Sequence, residues 1–544
     1  MKRKFIATLA LATTFLSGET IVFKGWNAYS TQFVNPPLYK WNSVPGAVKY
    51  RIGIAGVTQR KAAWYETKKP VFDFTLIWST LPFGRVDMMI FALDKDGKHL
   101  EYTNGCNLMG NNNAPKSFYK MPGWNGDEQK PMDWDKVIEQ NARYLLLPRQ
   151  DHKRDYEKKD DPRLLYSATE SQAGQRSNTA YPSRNVTYLN CLYLFAADNP
   201  GHELAAEAKR QAEIYGRWLL ENHLPDDYVY SQFPYTTIEN GIVGEHYGGG
   251  AEGKEISIDK AADIGSGMIT MYKITKDEKY LNYAKKLADV FVKNQRADGG
   301  WPGRANPKTG SSKSPDGYSL SAVRIGSFLA EMERISPKPE YTKSRKMALQ
   351  WILDNPVKTK RWESVYEDVG YTPPYRNLSQ MDAVFFIRFL LHFKNQMSGA
   401  VKIAEEVNKF VEDQFVIWSN EALSIPTQCY TPMVMEQYVC YAPMDCHTGN
   451  WMLSLAALYD ATGNKEYLKK AVAAMNAISK TMYNNGKLST TWVWATDQRF
   501  DAPLMGNDNW PCGNAIATRN MMIFQKYYDS VKAGNPKLFD LLPY

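Results

Sequence analysis

Residues 279–301 read KYLNYAKKLADVFVKNQRADGGW, and this stretch decides the fold class. Tyr280, Ala284, Leu287 and Phe291 recur at the three-to-four-residue spacing that places them on one face of an amphipathic helix. The same spacing returns at Tyr467, Ala471, Ala474 and Ile478, and less cleanly at Tyr341, Arg345, Ala348 and Ile352. Met271-Tyr272 and Leu458-Tyr459 precede the first two copies at one common offset, so each amphipathic helix has a partner helix before it. Continued along the chain, the pattern predicts partner helices beginning near Thr187, Ile258, Tyr318, Leu378, His447 and Gly513. It predicts amphipathic helices near 133–147, 202–221, 278–293, 340–355, 400–415 and 465–480. A repeat of roughly 60–70 residues is the scale of a stacked helical-hairpin array.

Connections inside a hairpin are short, as at Asn199-Pro200-Gly201 and Thr462-Gly463-Asn464, whereas those between hairpins are long, charged and aromatic. All the long loops should therefore emerge at one end of the array, where a ligand site would be built. Leu378–Phe393 (LSQMDAVFFIRFLLHF) is apolar nearly all round, as expected of a helix enclosed by others. Six inner and six outer helices make a mainly α fold, an (α/α)6 toroid, expected over residues 126–544.

In Gln295-Arg296-Ala297-Asp298-Gly299-Gly300-Trp301-Pro302 the glycine pair permits a tight turn after an outer helix, and the tryptophan can fold back to cap it. This segment resembles the "Q…DGGW" turns of α/α-toroid proteins, including terpenoid cyclases and some pectate lyases. The aspartate-rich motif of terpenoid cyclases is absent, so the resemblance implies the toroid and not terpene chemistry.

From Glu19 to Asn125 the period is that of strands. Leu38–Trp41 and Lys49–Ala55 flank the turn Val44-Pro45-Gly46-Ala47, and Val86–Leu93 runs into the turn Asp94-Lys95-Asp96-Gly97. A small antiparallel β-sandwich is expected over residues 19–125. The wording LYKWNSVPGAVKYRIGIA resembles fibronectin type III-like modules, with a tryptophan before such a turn and a tyrosine in the next strand. That resemblance speaks to fold, since one sandwich hosts many roles.

Met1-Lys2-Arg3-Lys4, the apolar Phe5–Leu16 and the small Ser17-Gly18 fit a secretory signal peptide over residues 1–18, too short for a membrane span. Export to the periplasm or medium is the expectation, and no later segment reads as a transmembrane helix. The net charge is +8, and a leader would carry three of the cations away with it, leaving only a mild bias. Signs are mixed along the helices and no basic run of the nucleic-acid type occurs, so a nucleic-acid partner is not expected. Six cysteines are too sparse for a disulfide scaffold in 544 residues.

The candidate chemistry lies in the long loops. Glu245, His246 and Tyr247 stand among glycines and could transfer protons beside a ligand. Gly248 to Lys254 has the glycine and lysine spacing of a phosphate loop, but Glu255 stands where that loop needs Ser or Thr, and no strand precedes it. The richest loop spans 360–377 and combines the carboxylates Glu367 and Asp368, the stacking surfaces Trp362, Tyr371 and Tyr375, and Arg376 and Asn377 as polar grips. Sugar rings need such sites, because their C–H faces stack on aromatics while their hydroxyls seek polar partners. Asp445 and His447 stand at the mouth of the fifth inner helix, with Glu436, Tyr438 and Tyr441 just before them. Cys429, Cys440, Cys446 and His447 lack zinc spacing, so no metal and no cofactor is expected. Trp492, Trp494 and Trp510 in the sixth long loop, and Trp301 and Arg304 in the third, suit the same cleft.

A secreted toroid behind a β-sandwich resembles a broad group of bacterial carbohydrate-active enzymes, both glycoside hydrolases and polysaccharide lyases. The Asp-Ala-Gly-Asp motif of its cellulase-type members is missing, so that subgroup's residues do not transfer. The resemblance implies a glycoside hydrolase acting on a uronic-acid-containing glycan, one carboxyl serving as acid and a second as base or nucleophile. Glu367 or Asp368 would take one role, Asp445 or Glu245 the other, and Arg376 or Arg304 would hold the sugar carboxylate. A lyase using His246, Tyr247, Tyr371, Arg376 and Asn377 for β-elimination is the alternative, and a non-catalytic glycan-binding protein is a third.

Overall fold

The computed structural model describes residues 32–41, 43–56, 59, 61–100, 117–147, 182–234, 236–238, 241–243, 255–312, 318–363, 378–419, 430–437, 443–489, 511–536 and 538. Twelve α-helices follow one another after the N-terminal strands: α1 (Trp134–Leu145), α2 (Pro182–Asp198), α3 (Ala205–Glu221), α4 (Ile258–Thr275), α5 (Glu278–Lys293) and α6 (Ser321–Ile335). The second half comprises α7 (Pro339–Ile352), α8 (Met381–His392), α9 (Ala400–Gln414), α10 (Asp445–Thr462), α11 (Lys465–Lys480) and α12 (Pro511–Lys532). The even-numbered helices pack side by side in the order α2, α4, α6, α8, α10, α12, and α12 returns to α2, which closes a ring of six. Each is backed by an odd-numbered helix, α3 behind α2 and so on to α11 behind α10, with α1 behind α12. This is the (α/α)6 toroid.

Composition explains which helices sit inside. In α8, Phe386, Ile387, Phe389 and Leu390 are buried on all sides, whereas α5 buries one stripe of Tyr280, Ala284, Leu287 and Phe291 and turns its lysines outward. Hairpin ends carry the residues their geometry asks for: α5 is capped by Asp277, α11 by Asn464, and Gly463 takes the left-handed conformation that ends α10. Neighbouring inner helices come close where side chains are missing. A Cβ on Gly265 would lie 2.4 Å from the Phe328 ring of α6, and one on Gly267 would lie 2.0 Å from Val186 of α2.

The DGGW turn does what its sequence promises. Gly299 has φ +94° and passes so close to α7 that a Cβ would meet the Met347 carbonyl oxygen at 2.4 Å, while the Trp301 indole N–H donates to the Phe291 carbonyl at 3.0 Å. A second turn of the same design follows α11, where Gly486 has φ +83° and a Cβ would lie 2.2 Å from the Gln140 carbonyl oxygen of α1. Its sequence, Tyr483-Asn484-Asn485-Gly486-Lys487-Leu488, shares only that glycine, so the repeat was invisible as a motif.

Short β-pairings tie the loops together at the end where the inner helices begin. β10 (Ile256–Ser257) pairs with β11 (Arg304–Ala305), and β13 (Met433–Met435) lies between β12 (Val416–Ile417) and β14 (Pro443–Met444). Isolated bridges join Glu363 to Leu378 and Ser379 to Gln437. The N-terminal unit has two sheets, one of five strands in the order β1 (Gln32–Phe33), β7 (Ser117–Lys120), β6 (Gly84–Leu93), β3 (Lys49–Gly56), β4 (Ala63–Thr67), and one of β2 (Leu38–Lys40) with β5 (Val71–Asp73). Tyr39, Trp41, Tyr50, Phe74 and Phe118 fill the space between them; Trp41 meets Tyr50 edge-on at 5.3 Å, and the Tyr50 hydroxyl accepts the Val44 N–H of the expected turn. The expected all-antiparallel order fails at one point, since β1 runs parallel to β7. Asp413 at the end of α9 explains why: its Oδ1 accepts the N–H groups of Val34 and Asn35 at 2.8 Å each and draws the β1 segment against the toroid.

Candidate functional site at the mouth and lumen of the ring

Two groups of polar side chains meet where inner helices begin. The first belongs to α10 and the strand before it. Asp445 opens α10 with no exposed surface; its Oδ1 accepts the Cys446 N–H at 2.6 Å and its Oδ2 accepts the Asn514 side-chain N–H at 3.0 Å. Burial pushes the Asp445 carboxyl up to about 7, against the pull of those two donors toward the charged form. His447 lies two residues on, with Nε2 3.8 Å from Oε1 of Glu436 at the end of β13. Both are nearly buried, and among the described residues neither Glu436 Oε2 nor His447 Nδ1 has a hydrogen-bond partner. Gln380, just before α8, has an equally unengaged Oε1 and points its amide at the Glu436 carbonyl at 3.5 Å. Unused buried donors and acceptors are costly, and a mouth that keeps several together is shaped for a polar guest.

The second group lines the lumen. Arg324 of α6 bridges two neighbouring helices, with Nη1 2.9 Å from Asp263 of α4 and Nε 3.3 Å from Asp382 of α8, and its Cζ lies 3.5 Å over the Phe385 ring. Asp259, one turn above Asp263, is set deep among protein atoms yet reaches solvent, as a group on a cavity wall does. Burial raises its carboxyl to about 6, helped by the negative charges of Asp263 and Asp382 and opposed by Lys260 and Arg324. Further along α8, Arg388 stacks on Phe385 at 4.3 Å and feels the charge of Arg519 on α12, two places round the ring. Asn450 and Asn520 are joined by a 2.9 Å hydrogen bond on the α10 and α12 side.

The sequence-based candidates fare unequally. Asp445 and His447 both lie in the first turn of α10. Arg304 is nearly buried on β11, beside Ser257 at the start of α4. Trp301 and Trp362 were expected to stack on sugar rings and are instead core residues, 0% and 1% exposed. The indole N–H of Trp301 is used on Phe291, and Trp362 stacks between outer and inner helices on Phe410 and Phe386, so neither ring has a face to offer. Glu245, His246, Tyr247, Glu367, Asp368, Tyr371, Tyr375, Arg376, Asn377, Trp492, Trp494 and Trp510 lie outside the described residues. The lumen set of Asp259, Asp263, Arg324, Asp382, Arg388 and Arg519 was missed. Its one sequence signal was an Asp and an Arg inside the otherwise apolar Leu378–Phe393 stretch, where an unshielded charge has no business unless it meets other charges. Among the described residues, no group of three His, Cys, Asp or Glu side chains is placed to hold a metal ion, and no helix is long and apolar enough to cross a membrane.

No protein-family model matches this sequence, and no curated protein does. Among solved structures, the chain is similar to a family 76 glycoside hydrolase from a bovine Bacteroides thetaiotaomicron strain, at 10% identity and TM-score 0.48, over 94% of this chain and 99% of that one. It is also similar to a D-mannose isomerase at 13% identity and TM-score 0.49, over 74% and 97% of the two chains. A polysaccharide lyase matches at 12% identity and TM-score 0.45, over 93% and 64%.

Proposed function

We propose that this protein is a carbohydrate-active enzyme, exported by a leader at residues 1–18, and that it is a glycoside hydrolase whose acid/base groups stand at the mouth of the ring. The observation that carries the reading is the Asp445 carboxyl, held up to about 7 by burial, with Glu436 on the other side of Cys446, whose thiol both carboxylates influence, and with one Glu436 oxygen unengaged among the described residues. Hydrolysis of a glycosidic bond needs a carboxyl that still carries its proton near neutrality and a second one free to act as base or nucleophile. In this reading Asp445 is the proton donor, Glu436 the second carboxyl, and Gln380 and Asn514 hold them in place. For the donor to act, the bound sugar must reach a group that is fully covered without it, so binding and uncovering of Asp445 occur together.

The open Nδ1 of His447 supports a second reading, β-elimination, in which the imidazole takes the C5 proton of a uronate. Incubation with a panel of neutral and uronate glycans separates the two: hydrolysis yields new reducing ends without ultraviolet-absorbing unsaturated sugar, whereas elimination yields both. D445N and E436Q are each expected to lower kcat by about 10²–10⁴. Full turnover in both variants would sink the assignment of these carboxyls, and binding without turnover of any glycan would sink the enzymatic reading.

A further inference from the structure

Along the inner helices, two cations lack among the described residues the counter-charge that a buried ion demands. Arg388 is 2% exposed, and among the described residues its Nε and Nη2 have no hydrogen-bond partner. The Phe385 ring lies under its Cζ. Arg519 approaches from α12, two places round the ring from α8, remains partly open to solvent, and spends two N–H groups on a single neutral acceptor, the Asn520 Oδ1, at 3.3 and 3.1 Å. Neither arginine forms an ion pair with a described residue. The described carboxylates whose charge reaches them are committed elsewhere: Asp263 and Asp382 to Arg324, and Glu331 to Lys273 at 3.7 Å. Both guanidinium groups are held below their ordinary range, mainly by burial, and Arg388 feels the like charges of Arg519 and Arg324. Burying two such groups without partners is expensive, and an anion between them removes the cost.

We propose that Arg388 and Arg519 form an anion-receiving subsite in the floor of the ring, and that it takes the carboxylate of an acidic sugar whose scissile bond lies above, beside Asp445 and Glu436. Position agrees with this role. Arg388 is six residues beyond Asp382 along α8, about 9 Å deeper at the helical rise per residue, which is the span of one to two sugar rings. Arg519 sits at the solvent-reaching side of the pair and so meets the carboxylate first; Arg388 supplies two parallel donors beneath it, the arrangement that suits a planar carboxylate. Planarity and two acceptor oxygens favour a carboxylate over a spherical ion, though a halide would feel the same charge.

This inference rests on the carbohydrate reading, and its test is built to fail separately. The full-length protein is titrated calorimetrically with glucuronate, with glucose and with sodium chloride. Glucuronate is expected to bind about tenfold or more tighter than glucose, to compete with chloride, and to lose about tenfold or more in affinity in R519Q, with partial recovery in R519K. Because R388M removes a buried side chain on which folding can depend, R519Q decides the matter. Equal affinity for glucose and glucuronate, unchanged glucuronate binding in R519Q, or chloride binding that glucuronate does not displace would each overturn the proposal. D445N and E436Q should retain glucuronate binding. Were they to retain turnover while R519Q loses binding, the catalytic reading would fall and the anion subsite would stand.

Discussion

Asp445 has both carboxyl oxygens hydrogen-bonded and no exposed surface, and its pKa records a contest between burial and two donors. The folded protein therefore keeps a proton that the unfolded chain releases at ordinary carboxylate pH. The stabilisation linked to that proton is complete below about 4 and is lost as pH rises through about 7. D445N, which cannot ionise, should gain on the parent by up to about 4 kcal/mol between those limits. Urea midpoints of both proteins at pH 5 and pH 8 measure it, and parallel shifts would contradict it. Asn514 offers a second handle, since its N–H favours the charged form of Asp445. Replacing Asn514 by Leu should raise the Asp445 pKa and move the alkaline limb of the kcat profile to higher pH, a displacement that simple loss of stability does not produce. At this scale the sequence was legible only where a polar residue sat beside a helix start, as Asp445 and His447 do. Arg388 and Arg519 look like any helical arginine until the ring is closed around them, because burial across a lumen is a property of six helices together.

Helices and turns were far more readable, since each outer helix buries one stripe and the 3.6-residue period survives divergence. The expected outer spans 278–293 and 465–480 coincide with α5 and α11, and the expected inner start at Ile258 is the first residue of α4. Starts of the other inner helices were displaced by a few residues, because a helix buried all round has no polar face to mark its end. Trp301 and Trp362 were misjudged for a related reason: a tryptophan next to charged loop residues reads the same whether it faces a ligand or wedges between two helices. The close contacts of α4 give a sharp prediction. G267A places a methyl group against Val186 and should destabilise the fold by about 1–3 kcal/mol, with kcat unchanged in the folded fraction. G486A adds backbone strain to the clash with Gln140 and should cost a similar 1–3 kcal/mol, roughly. Denaturant titration checks both, and stability within about 0.5 kcal/mol of the parent in either would show that the helices shift freely there.

At the scale of the molecule, one acidic side chain governs how the β-unit meets the ring. Asp413 accepts from the Val34 and Asn35 backbone N–H groups and from the Asn35 amide at 3.3 Å, and the Trp124 indole adds a bond to Glu466 at 3.0 Å. D413A strands those donors at a partly buried seam. The β-unit should then unfold or be cleaved independently, seen as a protease-sensitive segment before Trp134 at temperatures where the toroid still holds; one unchanged cooperative transition would refute this. The closure of the ring by α12 has a consequence in time. Thr518 donates to Asn141, and Gln525 reaches Asp135 across 390 positions of sequence, so the first helix waits for the last. During synthesis five hairpin walls are made before the last inner helix follows them, and their apolar inner faces meanwhile have nothing to lean on. The chain travels as an unfinished arc, exposed to chaperones and to its own copies, and becomes a circle only when α12 arrives.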